Sequence, residues 1–271
     1  MKISVIIFIL VMISTFGADA QQKRIPNREV ALEGTVNFRD LGGYATVDYR
    51  RIKQGRIYRA ADISRLTDAD MEELKRRKIY TVIDFRSEEE ASEAPDRLLP
   101  GADYLLLSAG SGNSGDLADF TKGHKSGTDV MVAFYSNVSF FKEKYRPFFR
   151  KLLTLPDSSA VVFHCSAGKD RTGIAAALFL YALDVPRETI FADYSATDIY
   201  RKTDNERMIV FMTEQGVGRE MAEQIMAADP RYLEAMFDAL KRKFGSVDMF
   251  LYKELSVGER EKLMLREKFL Q

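Results

Sequence analysis

The chain has 271 residues, 46% hydrophobic and 30% charged, which suffices for a substantial core in one large domain or two small ones. Forty Lys and Arg balance forty Asp and Glu, so no basic excess draws the protein to nucleic acid or to an anionic membrane. Cys165 is the single cysteine, which excludes an intramolecular disulfide and a cysteine-rich zinc site, and two histidines, His124 and His164, leave little for a histidine-based metal centre. No metal and no cofactor is expected.

Lys2 is followed by an apolar run from Ile3 to Phe16 and then by Gly17-Ala18-Asp19-Ala20, whose small residues match an Ala-x-Ala cleavage site. Residues 1–20 read as a secretory signal peptide, and 21–271 as one exported domain, periplasmic or secreted. The run falls short of the roughly 20 residues a bilayer core needs, so no stable membrane insertion is expected after cleavage. The turn-rich segment 21–60 centres on Asn37-Phe38-Arg39-Asp40-Leu41-Gly42-Gly43-Tyr44. Thr67-x-x-Asp70 predicts a capping box that opens a helix to about Lys78. Ile79 to Phe85 is short, β-branched and almost continuously apolar, as a strand buried on both faces would be. Residues 108–128 are rich in Gly and Ser and predict a long loop. A helix over Val130–Leu155, a buried strand over Ala160–Phe163 and a buried helix over Gly173–Leu183 follow. Helical periodicity dominates from Ile199, broken at Gly216, Gly218, Pro230 and Gly245. The expected fold is one α/β domain whose central, mostly parallel sheet is flanked by helices, with residues 203–228 forming a mobile helical lid over the pocket.

The stretch that carries chemistry is His164-Cys165-Ser166-Ala167-Gly168-Lys169-Asp170-Arg171-Thr172-Gly173. A buried strand delivers Cys165 to the sheet edge, and an apolar helix starts at Thr172. Unpaired amides at the start of a helix favour a tetrahedral dianion and also favour thiolate over thiol. Arg171 can clamp two phosphoryl oxygens while the thiolate attacks phosphorus in line. A nucleotide-binding loop does not fit, because Gly168-Lys169 is followed by Asp and Phe163 stands where the first glycine belongs.

HCSAGKDRTG, with NFRDLGGY, GRIYRAADISRLT (55–67) and VIDFRSEEE (82–90), resembles the bacterial secreted tyrosine phosphatases that also act on phosphoinositides, with members in mycobacteria and Listeria. The resemblance runs from about Val36 to Tyr194 and implies a tyrosine-phosphatase-like fold, no metal, and a phosphocysteine intermediate. It implies Cys165 as nucleophile, Arg171 as phosphate clamp, Asp170 as proton donor and Lys169 as an extra cation for lipid phosphates. Thr172 would stabilise the thiolate, with Ser166, Ala167 and Gly168 completing the substrate-binding loop. The family often has Leu where this chain has Phe85, a difference of packing.

Supporting residues are read with their alternatives. Asp84 and Arg86 either orient the phosphate loop or close a strand end as an ion pair. Asp40, Arg59 and Asp62 either line the pocket mouth or form structural salt bridges. His164 is expected to be a neutral group hydrogen-bonded near the thiolate, and His124 to be solvated. The resemblance also places the helix with Tyr145-Arg146 near the site. Asp116 and Asp119 on the long loop compete with Asp170 for the role of general acid. The resemblance implies a phosphorylated protein, phosphotyrosine above all, or a phosphoinositide as substrate. One alternative is a phosphate- or phospholipid-binding module that uses the same loop without turnover. Another is an interaction protein presenting Met208, Met212, Met221 and Met226 from its helical tail.

Overall fold

Strand β5 (Ala160–His164) is the middle of a five-stranded sheet in the computed structural model, which describes residues 28–108 and 121–271. The order across the sheet is β1 (Arg39–Asp40), β2 (Ile57–Ala60), β5, β3 (Ile79–Asp84) and β4 (Asp103–Leu106). β2, β5, β3 and β4 run parallel, and β1 pairs antiparallel with β2. Residues 1–20, read from the sequence as a signal peptide, and Asp116 and Asp119 lie outside the described residues.

Alternation along β5 explains why all five of its residues are buried. Val161 and Phe163 face a large core that includes residues from Leu41 to Leu270, whereas Ala160 and Val162 face a smaller one with Tyr58, Leu66 and Leu74. Helix α1 (Asp68–Arg76) covers the smaller side. Its predicted capping box is present: Thr67 Oγ1 accepts from the Asp70 amide at 3.2 Å and Asp70 Oδ2 from the Thr67 amide at 2.9 Å. Helix α2 (Glu88–Glu93) opens with a second box, made by Ser87 and Glu90.

The helix expected over 130–155 is instead two, α3 (Gly127–Ser136) and α4 (Phe141–Thr154). Asn137 ends the first, with ψ at 82°, and its side chain accepts from the Ser139 amide across a short 3₁₀ turn. The change of axis inserts Phe141, Tyr145, Phe148 and Leu152 against the sheet. Helices α5 (Asp170–Ala182), α6 (Arg187–Ser195), α7 (Thr197–Tyr200), α8 (Lys202–Glu214), α9 (Arg219–Met226), α10 (Pro230–Phe244), α11 (Val247–Leu255) and α12 (Glu259–Phe269) complete the chain. Among the described residues no helix is long and apolar enough to cross a membrane. Of the four tail methionines Met212 and Met226 are buried, Met221 is half-buried and Met208 is exposed, so these four make no continuous surface.

Candidate active site

The chain turns from β5 into α5 through Cys165–Lys169, and three successive carbonyls in that turn are held by the scaffold. Ser166 O accepts from the Asp62 amide at 3.2 Å, and Ala167 O from Asn37 Nδ2 at 3.2 Å and Arg201 Nη1 at 3.0 Å. Gly168 O accepts from Asn37 Nδ2 at 3.0 Å and Arg59 Nη2 at 2.7 Å. In a trans peptide the N–H points opposite to the C=O, so fixing these carbonyls inward turns the amides of Ala167, Gly168 and Lys169 away from the scaffold. Gly168 has φ +64°, and a Cβ there would lie 2.3 Å from Ala60 O, so only glycine fits. No side chain caps the start of α5, and its first amides remain for an anion.

Cys165 is buried at 2% exposure. Burial pushes its thiol up, but the Arg171 charge and the Thr172 hydroxyl and amide more than reverse this, holding it below the ordinary thiol value. The buried Thr172 hydroxyl has no other partner. Arg171 donates from Nη1 to Glu90 Oε2 at 2.5 Å and from Nη2 to Glu90 Oε1 at 2.8 Å, a bidentate pair. Nη1 also reaches Phe85 O at 3.2 Å and Nη2 reaches Ser166 Oγ at 3.1 Å, leaving Nε without a protein partner among the described residues. Ser166 Oγ in turn donates to Glu90. Burial pushes the Glu90 carboxyl up, yet Arg171 and Ser166 bring it down to about 2. Glu90 was not singled out in the sequence, although Ser87-x-x-Glu90 carries a capping-box signal.

Asp84, Arg86, Asp62 and His164 form a buried network behind the loop with Asp96, which the sequence did not flag. Arg86 donates to Asp84 Oδ2 at 2.8 Å, Asp96 Oδ1 at 2.7 Å and Asp62 Oδ2 at 2.9 Å. Asp84, Asp96 and His164 are the one acidic and imidazole group among the described residues close enough to share a cation, and Arg86 already supplies that charge. His164 is fully buried with Nε2 2.8 Å from Asp96 Oδ2. Burial lowers its pKa, but the Asp96 hydrogen bond and the Asp96 and Asp84 charges carry it above the ordinary histidine value. The hydrogen bond expected near the thiolate is therefore corrected: the ring engages the Asp96 carboxylate through Nε2, and Nδ1 is buried without a partner among the described residues.

Two residues considered for the pocket mouth lie elsewhere. Arg59 is fully buried beneath the loop, donating to Asp193 Oδ2 at 2.6 Å and to Gly168 O. Asp40 accepts from the Gly42 and Gly55 amides, each at 2.7 Å, and closes a turn. Asp62 stays at the loop edge, shared between Arg86 and the Ser64 amide. Tyr145 donates to Arg171 O at 3.0 Å, whereas Arg146 turns away to Glu254 O at 2.8 Å. His124 is half-buried.

Lys169 is 2% exposed, and its ammonium donates to Ile225 O at 2.9 Å and Ala227 O at 3.2 Å while pairing with Asp170 Oδ1 at 2.9 Å. The loop lysine thus anchors the C-terminal end of α9. Asp170 Oδ1 also accepts from Tyr135 at 2.9 Å, and Oδ2 has no partner among the described residues. Arg201 just before α8 and the end of α9 both touch the loop, so the 203–228 helices stand on the Cys165 side of the fold.

A mostly parallel sheet that ends in an acidified cysteine, a turn with its amides free and an arginine held by a carboxylate forms a site suited to a phosphate group. The chain belongs to the tyrosine phosphatase family, whose sequence profile matches residues 30–271. A Cupriavidus necator protein with a tyrosine-protein phosphatase name is 32% identical over 233 residues, covering 84% of this chain and 85% of its own. The triple specificity protein phosphatase PtpB of Mycobacterium tuberculosis is 27% identical over 261 residues, covering 81% and 91%. Among solved structures, TpbA of P. aeruginosa covers 68% of this chain and 96% of its own at 16% identity, with a TM-score of 0.29, too low to support any inference.

Proposed function

We propose that this phosphatase hydrolyses phosphotyrosine through a phosphocysteine intermediate on Cys165. The observation that carries this reading is the acidified, buried Cys165 at the uncapped start of α5, beside an arginine fixed by two bonds to Glu90. The Arg171 Nε edge and the loop amides receive the phosphoryl oxygens. Cys165 Sγ forms a bond to phosphorus as the bond to the phenolic oxygen breaks, and the leaving oxygen takes a proton from Asp170 Oδ2. Water then attacks the phosphocysteine, Asp170 accepts its proton, and thiolate and inorganic phosphate are released. No step calls for a metal.

The triple specificity in the name of PtpB supports extending the reading beyond phosphotyrosine, and the family resemblance of the loop makes phosphoinositides the further class to assay. Export after cleavage at Ala20 is part of the same proposal and is checked by N-terminal sequencing of the protein recovered outside the cytoplasm. The central experiment is phosphate release from phosphotyrosine peptides and phosphoinositides in the presence of chelator, followed by rapid acid quench. Release with label trapped on Cys165 is expected. Binding of phosphate without turnover would instead favour an inert phosphate-binding module.

A further inference from the structure

Lys144, in the first turn of α4, is a buried charged residue that the reading above leaves unused. It is 5% exposed, and its ammonium makes no hydrogen bond or ion pair among the described residues. A lysine this buried normally has a carboxylate or several carbonyls around its head, as Lys169 has. The charged groups that act on Lys144 are Arg171, Cys165 and Glu90. The next residue, Tyr145, donates to Arg171 O at 3.0 Å and ties this turn of α4 to the start of α5. The fold therefore keeps a second cation, with no hydrogen bond or ion pair among the described residues, within electrostatic reach of the thiolate and the arginine, on the helical turn that Tyr145 ties to Arg171.

We propose that Lys144 is a phosphate-binding cation of the catalytic pocket, receiving together with Arg171 the dianionic group that enters over Cys165. The proposal rests on the functional reading above in taking a phosphoryl group as the ligand. With Cys165 as thiolate, the pocket's charges cancel: Arg171 and Lys144 against Cys165 and Glu90. An incoming dianion makes the protonated state of Lys144 more favourable than it is in the empty pocket. Without a ligand, burial and then the Arg171 charge pull its ammonium down to about 8, against the opposing pull of Cys165 and Glu90. Anion affinity should accordingly fall as pH rises through that value. Asp170 and His164 also lie near the loop, and both remain in a Lys144 variant, so the variant isolates the lysine.

The test compares alkylation of Cys165 by iodoacetate, an anion, and iodoacetamide, its neutral counterpart, from pH 6 to 9.5. The ratio of the two rates cancels the thiolate fraction and reports the positive charge around sulfur, independently of turnover. In wild type the ratio should favour iodoacetate and drop about tenfold through pH 8, the size expected for losing one nearby cation at intermediate dielectric. Lys144→Met, which keeps the volume, should start low and show no step. Lys144→Arg should stay high to pH 9.5. Inhibition by inorganic phosphate, read in the same variants, should weaken in Lys144→Met and recover in Lys144→Arg. Identical ratios in wild type and Lys144→Met at every pH would overturn the proposal. A step in wild type without hydrolysis of any phosphate ester would uphold the cation's role and overturn the functional reading instead.

Discussion

Replacing Glu90 by glutamine tests whether the arginine clamp depends on a carboxylate contributed by a neighbouring helix. Glutamine keeps an oxygen for the Ser87 cap of α2 but loses the charge and one acceptor facing Arg171. The carboxyl falls from 4.5 to about 2 in the folded protein, in which burial opposes and Arg171 drives the shift. At about 1.4 kcal/mol per unit this would be roughly 3 kcal/mol, but its side chain is 37% exposed, and solvent screening reduces the contribution to about 1–2 kcal/mol. A carboxylate with a depressed folded value stabilises fully above its unfolded pKa, and that contribution disappears as pH falls from about 4.5 toward 2. Glu90→Gln should therefore lower the melting temperature by roughly 3–6 °C at pH 7, with the gap closing in the acid range. A guanidinium released from its bidentate seat need shift only about 1 Å to lose up to 10²-fold, so kcat/KM for an aryl phosphate should fall about 10- to 100-fold. A loss under about twofold would refute the clamp. Melting curves of wild type and variant that stay equally spaced from pH 7 to pH 3 would refute the charge argument.

Cys165→Ser should abolish hydrolysis while retaining vanadate binding, because the loop amides and Arg171 survive; residual turnover after thiol alkylation would remove the thiol mechanism. Asp170→Asn should cost about 10²–10⁴-fold with poor leaving groups and little with acidic phenols. An equal loss across leaving groups would make Asp170 structural and move the general acid to Asp116 or Asp119. Lys144→Met should raise stability by about 2–3 kcal/mol at pH 7, since a lysine lowered from 10.5 to about 8 destabilises the fold fully below pH 8 and progressively less as pH rises toward 10.5; an unchanged melting temperature would contradict that cost. Lys169→Met should loosen α9 and reduce turnover of aryl phosphates and phosphoinositides by equal factors, whereas a selective loss with the lipid would show that the ammonium leaves its Ile225 and Ala227 carbonyls to meet substrate.

What the sequence disclosed was contiguous. Cys165 and Arg171 lie within one strand-turn-helix, and spacing alone brings them to one anion. The Thr67 cap and the β5 burial pattern are equally local. The helix break at Asn137 was hidden because Val130–Leu155 keeps helical periodicity through it. Asp193, which takes both Arg39 and Arg59, lies 154 residues from the former, and no local pattern announces such a pairing. Lys169 reads as a substrate cation from its position in the loop, and only the tertiary approach of α9 shows that carbonyls occupy it. Glu90 is one of three consecutive glutamates, and the choice among them is made by the capping box, which turns the third toward Arg171.

The NFRD segment could be recognised without its purpose being readable, and the loop geometry supplies one. Asn37 sits at φ +61°, a conformation that asparagine tolerates better than most side-chain-bearing residues, and from there its amide reaches two loop carbonyls. Arg39 donates to the Asn37 side-chain oxygen and to Asp193 Oδ1 at 2.9 Å, while Arg59 shares that aspartate and grips Gly168. Buried ion pairs of this kind contribute little net stability, because desolvation offsets their attraction, and their value lies in fixing geometry. Here they fix which way three peptide planes face. The donors are consequently oriented before any anion arrives, and binding need not bear the cost of turning them. Loss of the Asn37 amide would take one of two donors from the Ala167 carbonyl and one of two from the Gly168 carbonyl at once, leaving Arg201 and Arg59 to hold them, so the backbone of the loop is tuned by a residue that lies 128 positions before the nucleophile.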